Sequence, residues 1–218
     1  VAPARLAATT VDVKVTTPGG ESDTAGTTND LRYVAGPTIT SVSPAVGPLA
    51  AGTAVTITGT NFVGVTSVRF DGVAATDVVA STETMLTVKA PAHLTAASVD
   101  VVVDALGGSA TKAGAFRYFA VPTVTAVAPV AGPLGAGTSV TITGTNLDGV
   151  TSVTFGGVAA TSVVVTNATT ITAVTPAQSA PGAAIVTVMN PDTQSGSHGN
   201  AYTFTPPAAP TEIGRAHV

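Results

Sequence analysis

The residues of this chain best suited to chemistry are a few carboxylates and three histidines. Asp100 and Asp104 lie four positions apart in a segment whose apolar residues alternate, so both carboxylates are predicted on one face of one strand. Two such carboxylates could bind calcium or act as a hydrolytic acid and base. The alternative is that both are solvated residues of a sheet surface.

The histidines are His93, His198 and His217. A zinc site needs several His, Cys or carboxylate ligands at short spacing, and the chain has no Cys. His198 has no such neighbour, and the position of His93 holds Arg5 and Gln178 in other copies of a repeat described below. We therefore predict no catalytic, no cofactor-binding and no metal-binding residue, and no cofactor.

Two short motifs also permit a functional reading. The glycines around Gly47-Pro48 and Gly52 resemble a phosphate-binding loop, but no Lys-Ser/Thr follows them and a shaped turn between strands is the better interpretation. Asn167-Ala168-Thr169 is a glycosylation sequon, a pattern that is common by chance. No Gly-x-Ser-x-Gly nucleophile motif occurs. The chain is predicted not to be an enzyme.

The elements that carry these residues are repeated. PTITSVSPAVGPLAAGTAVTITGTNF, which begins at Pro37, returns from Pro122 as PTVTAVAPVAGPLGAGTSVTITGTNL. The beginning of the chain matches the second half of such a copy, and Pro210-Thr211 opens another. The predicted domains are the end of a truncated repeat, two complete repeats and the start of a further one, at residues 1–36, 37–121, 122–209 and 210–218.

The two ends of the chain indicate a fragment of a longer protein. The chain starts inside a repeat, with no initiator Met. After Thr211 the repeat pattern breaks, and EIGRAHV is the translation of a common short-read sequencing adapter. We interpret residues 212–218 as non-biological sequence; a native tail is the alternative.

Composition and periodicity predict an all-β fold. The chain is rich in Val, Thr, Gly and Pro and shows no long helical period. Val55 and Ile57 are predicted to face a core, while Thr56, Thr58 and Thr60 face outward. Seven short strands per repeat favour a two-sheet sandwich.

Charge and hydropathy exclude two classes of partner. The net charge is −4, and the eight Lys and Arg residues are scattered rather than clustered. A nucleic-acid surface requires a basic patch, so no nucleic-acid partner is predicted. Thr, Ser, Gly or Pro interrupts every apolar run, so no membrane-spanning segment is predicted in this fragment.

Both complete repeats resemble the IPT/TIG domain. The resemblance rests on Pro-Thr-Ile/Val, Gly-Pro, Gly-Thr and VTITGTN in this order, followed by Phe70-Asp71-Gly72 and the aromatic pair Phe116 and Tyr118. A mild departure is Leu147 in place of Phe62. The resemblance implies tandem immunoglobulin-like sandwiches of the early-set (E-set) type, in a family found in bacterial surface proteins, polysaccharide-handling proteins, receptors and transcription factors.

Of the contexts that the resemblance implies, the absence of Cys disfavours a cysteine-rich receptor and the acidic balance disfavours a DNA-binding protein. A bacterial surface or secreted protein, located outside the cell or at its surface, is therefore expected. Short Pro-containing connections, from Tyr33 to Pro37 and from Tyr118 to Pro122, leave little freedom between repeats. We expect a semi-rigid, non-catalytic stalk whose partners are its own neighbouring modules. The alternatives are a module that binds a cell-surface glycan or protein, with the outward Thr rows as a sugar face, and an accessory domain of a polysaccharide-active enzyme.

Overall fold

A computed structural model describes residues 9–21 and 30–207, with the backbone alone for residues 30–32. The chain divides into two compact units, unit 1 (Val1–Tyr118) and unit 2 (Phe119–Val218). Over the described residues the elements are strands and a single short 3-10 helix, η1 (Leu147–Gly149). The all-β prediction is confirmed. Residues 212–218, interpreted above as adapter sequence, lie outside the described part of the chain.

Unit 1 holds one complete two-sheet sandwich preceded by a short strand pair. Strand β1 pairs with β4 so that Thr9 lies opposite Tyr33, and the last strands of the sandwich pair Ala97 with Tyr118 in the same way. The sheets have the strand orders β10-β11-β7-β5 and β6-β13-β12-β8-β9. The strands are β1 (Thr9–Asp12), β2 (Thr16–Thr17), β3 (Gly20–Glu21), β4 (Asp30–Tyr33), β5 (Thr38–Ser43), β6 (Val46–Pro48), β7 (Ala54–Thr60), β8 (Ser67–Phe70), β9 (Val73–Ala74), β10 (Thr76–Thr82), β11 (Met85–Lys89), β12 (Ala97–Ala105) and β13 (Gly108–Phe119).

Unit 2 repeats the same topology. Its sheets have the orders β14-β16-β20-β19 and β15-β22-β21-β17-β18, which match those of unit 1 strand for strand. The strands are β14 (Thr123–Ala128), β15 (Ala131–Pro133), β16 (Ser139–Thr145), β17 (Ser152–Phe155), β18 (Val158–Ala159), β19 (Thr161–Asn167), β20 (Thr170–Val174), β21 (Gly182–Met189) and β22 (Ser195–Thr205).

Each unit has its own core between its two sheets. Val55 and Ile57 of β7 are buried in unit 1, as their alternation with Thr predicts. The centre of this core is aromatic: Phe116 packs edge-on against both Phe70 and Tyr118, with ring centroids 5.2 and 4.9 Å apart. Unit 2 builds the corresponding cluster from Phe155, Tyr202 and Phe204. The cores are separate, so each unit is expected to unfold as its own cooperative element.

The Gly-Pro segment carries the chain from one sheet to the other, as predicted. It also contains short strands that the sequence did not indicate, since β6 lies beside β13 and its counterpart β15 pairs in parallel with β22. Strands β9 and β18 were missed as well. Segments of two or three residues are too short to show alternation, so periodicity cannot reveal them.

The exposed edges of the four-stranded sheets are irregular. In β10 and β19 the register shifts twice, and the first shift contains Asp77 or Ser162, each with a left-handed φ of 50°. Bulges of this kind bend an edge strand and leave its hydrogen-bonding groups poorly placed for a foreign strand. Both units therefore protect the same edge against sheet-to-sheet pairing.

We expect Tyr202→Phe to stabilise unit 2 by about 1 kcal/mol or more. The hydroxyl of Tyr202 is fully buried and has no hydrogen-bond partner in the structure, which is costly because the group has lost its water. Unit 1 already has Phe116 at this position. Denaturant unfolding of both variants measures the effect, and the reverse change Phe116→Tyr is expected to destabilise unit 1. A loss of stability in Tyr202→Phe would contradict the expectation.

Candidate functional site

In both units, an Asn side chain at the same place forms a hydrogen bond to the segment that precedes the first strand of the sandwich. Asn61 follows β7 with a left-handed φ of 57°, and its Nδ2 donates a hydrogen bond of 2.9 Å to the carbonyl oxygen of Gly36. Asn146 has a φ of 56° and donates to Val121 O, also over 2.9 Å. Asn tolerates this conformation better than most residues do, which explains its place at the end of TITGTN.

In each unit a glycine also lies against the backbone of this segment. A Cβ on Gly107 would lie 2.1 Å from the carbonyl oxygen of Ala35, and a Cβ on Gly196 would lie 2.1 Å from that of Pro122. Any side chain at these positions would collide with the backbone of the connecting segment. Gly107 lies in the turn between β12 and β13, whereas Gly196 lies within β22, at the position that Ala110 occupies in unit 1. The segment thus lies directly against the sandwich that follows it in sequence.

In unit 2, two further side-chain amides form hydrogen bonds to the same segment. Asn190 is 2% exposed and donates through Nδ2 to Ala120 O over 3.0 Å. Gln194 donates through Nε2 to Phe119 O over 3.1 Å and also contacts the carboxylate of Asp192. Both amides come from the loop between β21 and β22, which is closed by the bond from Asn190 N to Gln194 O at 2.8 Å.

Three consecutive carbonyls, those of Phe119, Ala120 and Val121, therefore each accept a hydrogen bond from a side-chain amide of unit 2. We call these residues the junction segment. The ring of Phe119 also lies against Gly149, where a Cβ would come within 2.2 Å of it. The sequence analysis did not identify Asn61, Asn190 or Gln194 as residues that bind the connecting segment. The recurrence of Asn in both TITGTN motifs was the available signal.

The predicted carboxylate pair does not form a site. Asp100 and Asp104 lie four residues apart on β12, about 13 Å along an extended strand. Asp100 Oδ1 accepts a hydrogen bond of 2.8 Å from the backbone N–H of Gly114, where β13 bulges. The two carboxylates are too far apart to share a metal ion or to act together on one glycosidic bond.

The carboxylate of Asp104 is bonded to side chains of the neighbouring strands, and the side chain is only 21% exposed. Its carboxylate accepts hydrogen bonds from the hydroxyls of Ser67 and Ser109 and forms a 2.8 Å ion pair with Arg69 Nη2. The two serine hydroxyls, followed by Arg69, lower the pKa of Asp104. The carboxylate therefore ties β8 and β13 to β12.

His93 also has a more definite place than its sequence indicates. The exchange of His93 for Arg5 and Gln178 between repeats predicted a tolerant polar loop position. In unit 1 its ring lies flat on Tyr118, with centroids 4.8 Å apart, and its Nε2 lies 3.2 Å from Asp71 Oδ2. In unit 2, Gln178 instead donates through Nε2 to Phe155 O. The position holds a loop to the sheet in both units by different chemistry.

The outward Thr rows are partly bonded to themselves. Hydroxyl pairs join neighbouring strands at 2.6–2.8 Å, so these groups stabilise the sheet surface. The pairs are Thr38 with Thr60, Ser41 with Thr58, and Thr123 with Thr145. A sugar-binding role for this face stays a prediction.

Within residues 9–21 and 33–207, no group of three His, Cys, Asp or Glu side chains is placed to hold a metal ion. In the same part of the chain, no helix has the length and apolar character needed to cross a membrane.

The family comparison agrees with this architecture. The family model described as IPT/TIG domain matches residues 37–118 and 122–205, and the chain belongs to this family. The two units are tandem immunoglobulin-like E-set sandwiches, as the resemblance predicted. IPT/TIG domains are generally non-catalytic modules. No match was found among curated proteins.

Similar solved structures belong to much longer chains. The extracellular region of plexin A4 is 24% identical, with a TM-score of 0.46, and the alignment covers 78% of this chain and 18% of that one. SGBP-B from a xyloglucan utilization locus of Bacteroides uniformis is 26% identical, with a TM-score of 0.35 and coverages of 76% and 49%. The γ-CGTase of Bacillus clarkii is 13% identical, with a TM-score of 0.37 and coverages of 82% and 28%. This chain thus spans between about a fifth and a half of these proteins.

Proposed function

We propose that this chain is a spacer: tandem non-catalytic IPT/TIG modules that form a semi-rigid stalk in a bacterial surface or secreted protein. The observation that carries the proposal is the junction segment, whose three carbonyls are all held by amides of unit 2. A spacer needs defined connections between modules more than it needs a reactive group. The comparison of the two units, given below, supports a role for the connections rather than for a reactive group.

We expect a connection of this kind to restrict motion, because each carbonyl of the junction segment accepts a hydrogen bond. Tyr118 is fully buried in unit 1 and pairs with Ala97. Its neighbour Phe119 is already bonded to Gln194, and Pro122 lies against Gly196. A flexible linker gains its reach from unbonded residues with free dihedral angles. The fixed φ of Pro and the amide bonds are expected to reduce that freedom here.

The recurrence of this Asn contact in both units favours the spacer function over the alternatives. The Asn that holds the connecting segment occurs at the same place in both units, as Asn61 and Asn146, whereas the bonds from Asn190 and Gln194 belong to unit 2. By contrast, the His93–Asp71 contact and the Asp104 cluster occur in unit 1 alone among the described residues. A function that serves every module of an array is expected to use the recurring residues.

Distance measurements between the units test the proposal. The chain has no Cys, so Ser81→Cys and Thr166→Cys, at equivalent exposed strand positions, provide two unique sites for spin labels. We expect a narrow distance distribution by pulsed electron resonance. Removing the unit 2 amides in the triple variant Asn146→Ala, Asn190→Ala, Gln194→Ala is expected to broaden it, because the junction residues regain free rotation.

The matched control is Gln178→Ala. It removes a bond from a side-chain amide to a backbone carbonyl in unit 2, but away from the junction segment, so the distribution should stay narrow. Thermal unfolding checks that each variant is folded. A broad distribution in the parent chain would refute the stalk, as would saturable micromolar binding on a glycan array that is lost in Thr143→Asp.

A further inference from the structure

The connection between β11 and β12 in unit 1 is held by one imidazole with two bonded nitrogens. His93 Nδ1 lies 2.6 Å from the carbonyl oxygen of Thr95, and Nε2 lies 3.2 Å from Asp71 Oδ2 in the β8–β9 turn. The side chain of His93 is only 13% exposed. Its backbone N–H donates to Leu49 O over 2.9 Å, which fixes the residue from a third side.

Both ring nitrogens face oxygen atoms that can only accept. A carbonyl oxygen and an ionised carboxylate have no proton to give, and a neutral imidazole carries one N–H. Only the imidazolium cation can donate to Thr95 O and to Asp71 at once. In the neutral ring one of these contacts must be given up. Thr95 N lies 3.4 Å from Nδ1 and offers the neutral ring a longer replacement bond.

The described elements that pack around the ring add one further titratable group. From β13 the neighbour is Tyr118, whose hydroxyl donates to Pro91 O over 2.8 Å. Burial, followed by the charge of Asp71, raises the pKa of Tyr118 to about 12, so it stays neutral at physiological pH. The loop itself, Ala-His-Leu-Thr-Ala at residues 92–96, and the segment Leu-Ala-Ala-Gly-Thr at residues 49–53 carry no other charge. Of these groups, Asp71 is the one charged partner of His93, and it acts together with the carbonyl of Thr95.

We propose that His93 and Asp71 form a proton-controlled latch that closes the loop of residues 91–96 onto the β8–β9 turn. The closed loop borders a cleft of about 370 Å³ and presents Leu94, which is 97% exposed. Loss of the proton frees the loop and changes how Leu94 is presented. Unit 2 has no such latch, because Gly156 and Gln178 stand at the two positions.

The direction of the pH dependence follows from the same contacts. The Thr95 carbonyl, then Asp71, raise the pKa of His93 above its ordinary value. A raised pKa in the folded state means that the contact stabilises unit 1 fully below the ordinary pKa of about 6.5. This stabilisation is lost as the pH rises through the folded value. The latch is therefore closed in mildly acidic solution and open in alkaline solution.

An NMR titration of the full chain tests the latch. We expect the midpoint of the His93 ring resonance to move to lower pH in Asp71→Asn, while the midpoint of His198 in unit 2 does not move. Asn keeps the turn, because it tolerates the φ of 49° found at Asp71. An unchanged His93 midpoint would overturn the proposal, whereas a shift at His198 as well would show a general effect of charge and count equally against it.

Hydrogen exchange supplies the second measurement. After correction for intrinsic rates, the backbone amides of residues 92–96 are expected to lose protection as the pH rises through the His93 midpoint. His93→Gln, which copies Gln178 of unit 2, is expected to abolish this pH dependence. Equal protection of the loop on both sides of the midpoint would show that the proton does not control it.

Discussion

Replacing Ile57 with Asp is expected to destabilise unit 1 by about 4 kcal/mol or more. Ile57 is fully buried on β7, between Leu86 of β11 and Val42 of β5 in the pairing register. The substitution removes apolar contacts and places a carboxylate in the core with no partner. Ile142→Asp is expected to do the same in unit 2. Hydrogen exchange measured along the whole chain separates the two units.

The matched control for this prediction lies one residue away. Thr143 is exposed on β16, next to the buried Ile142, so Thr143→Asp is expected to cost less than about 1 kcal/mol. A shift of register by one residue would exchange the faces of the strand. Equal losses in Ile142→Asp and Thr143→Asp would therefore show that the assigned register is wrong.

Replacing Gly144 with Ala is expected to destabilise unit 2 by at least about 3 kcal/mol. A Cβ at this position would lie 1.8 Å from the carbonyl oxygen of Thr123 and 3.2 Å from the Cα of Val124. Both obstacles are backbone atoms of β14, which cannot rotate away. The same geometry recurs at Gly59, where a Cβ would lie 1.8 Å from Thr38 O. Denaturant unfolding of Gly144→Ala measures the loss.

The control for the glycine prediction is Gly135→Ala in the same unit. No atom lies within 4 Å of a Cβ built on Gly135, and its backbone does not need a left-handed φ. This change is expected to be neutral or to stabilise by up to about 1 kcal/mol, because Ala restricts the unfolded chain. Similar losses in Gly144→Ala and Gly135→Ala would mean that close approach is not the reason for Gly144.

These glycines give a physical reason for the repeated Gly in VTITGTN. Periodicity predicts that the position of Gly59 faces inward, where a β-branched residue would usually be favoured. The structure shows why Gly stands there instead. Strands β5 and β14 change register between Ile39 and Ser41 or between Val124 and Ala126, which brings a backbone carbonyl over the glycine. The bulge in the neighbouring strand therefore requires the glycine.

The sequence determined the fold because alternation and turn chemistry are local properties. The inward positions of Val55 and Ile57, the Asp71-Gly72 turn and the two complete repeats follow from neighbouring residues and from comparison between copies. The family also follows, because its motifs keep their order along the chain. A pattern of period two requires no knowledge of distant contacts.

Only the tertiary structure decided which polar side chains meet. Asn190 reaches Ala120 and Gln194 reaches Phe119 across 70 and 75 residues of chain. His93 reaches Asp71 from a different loop, while Asp100 and Asp104, which the sequence places together on one strand, do not meet. Side chains of one strand are separated by its extended backbone, whereas residues of different loops are brought together by the folding of the sandwich. Sequence patterns do not reveal which residues of different loops lie close together.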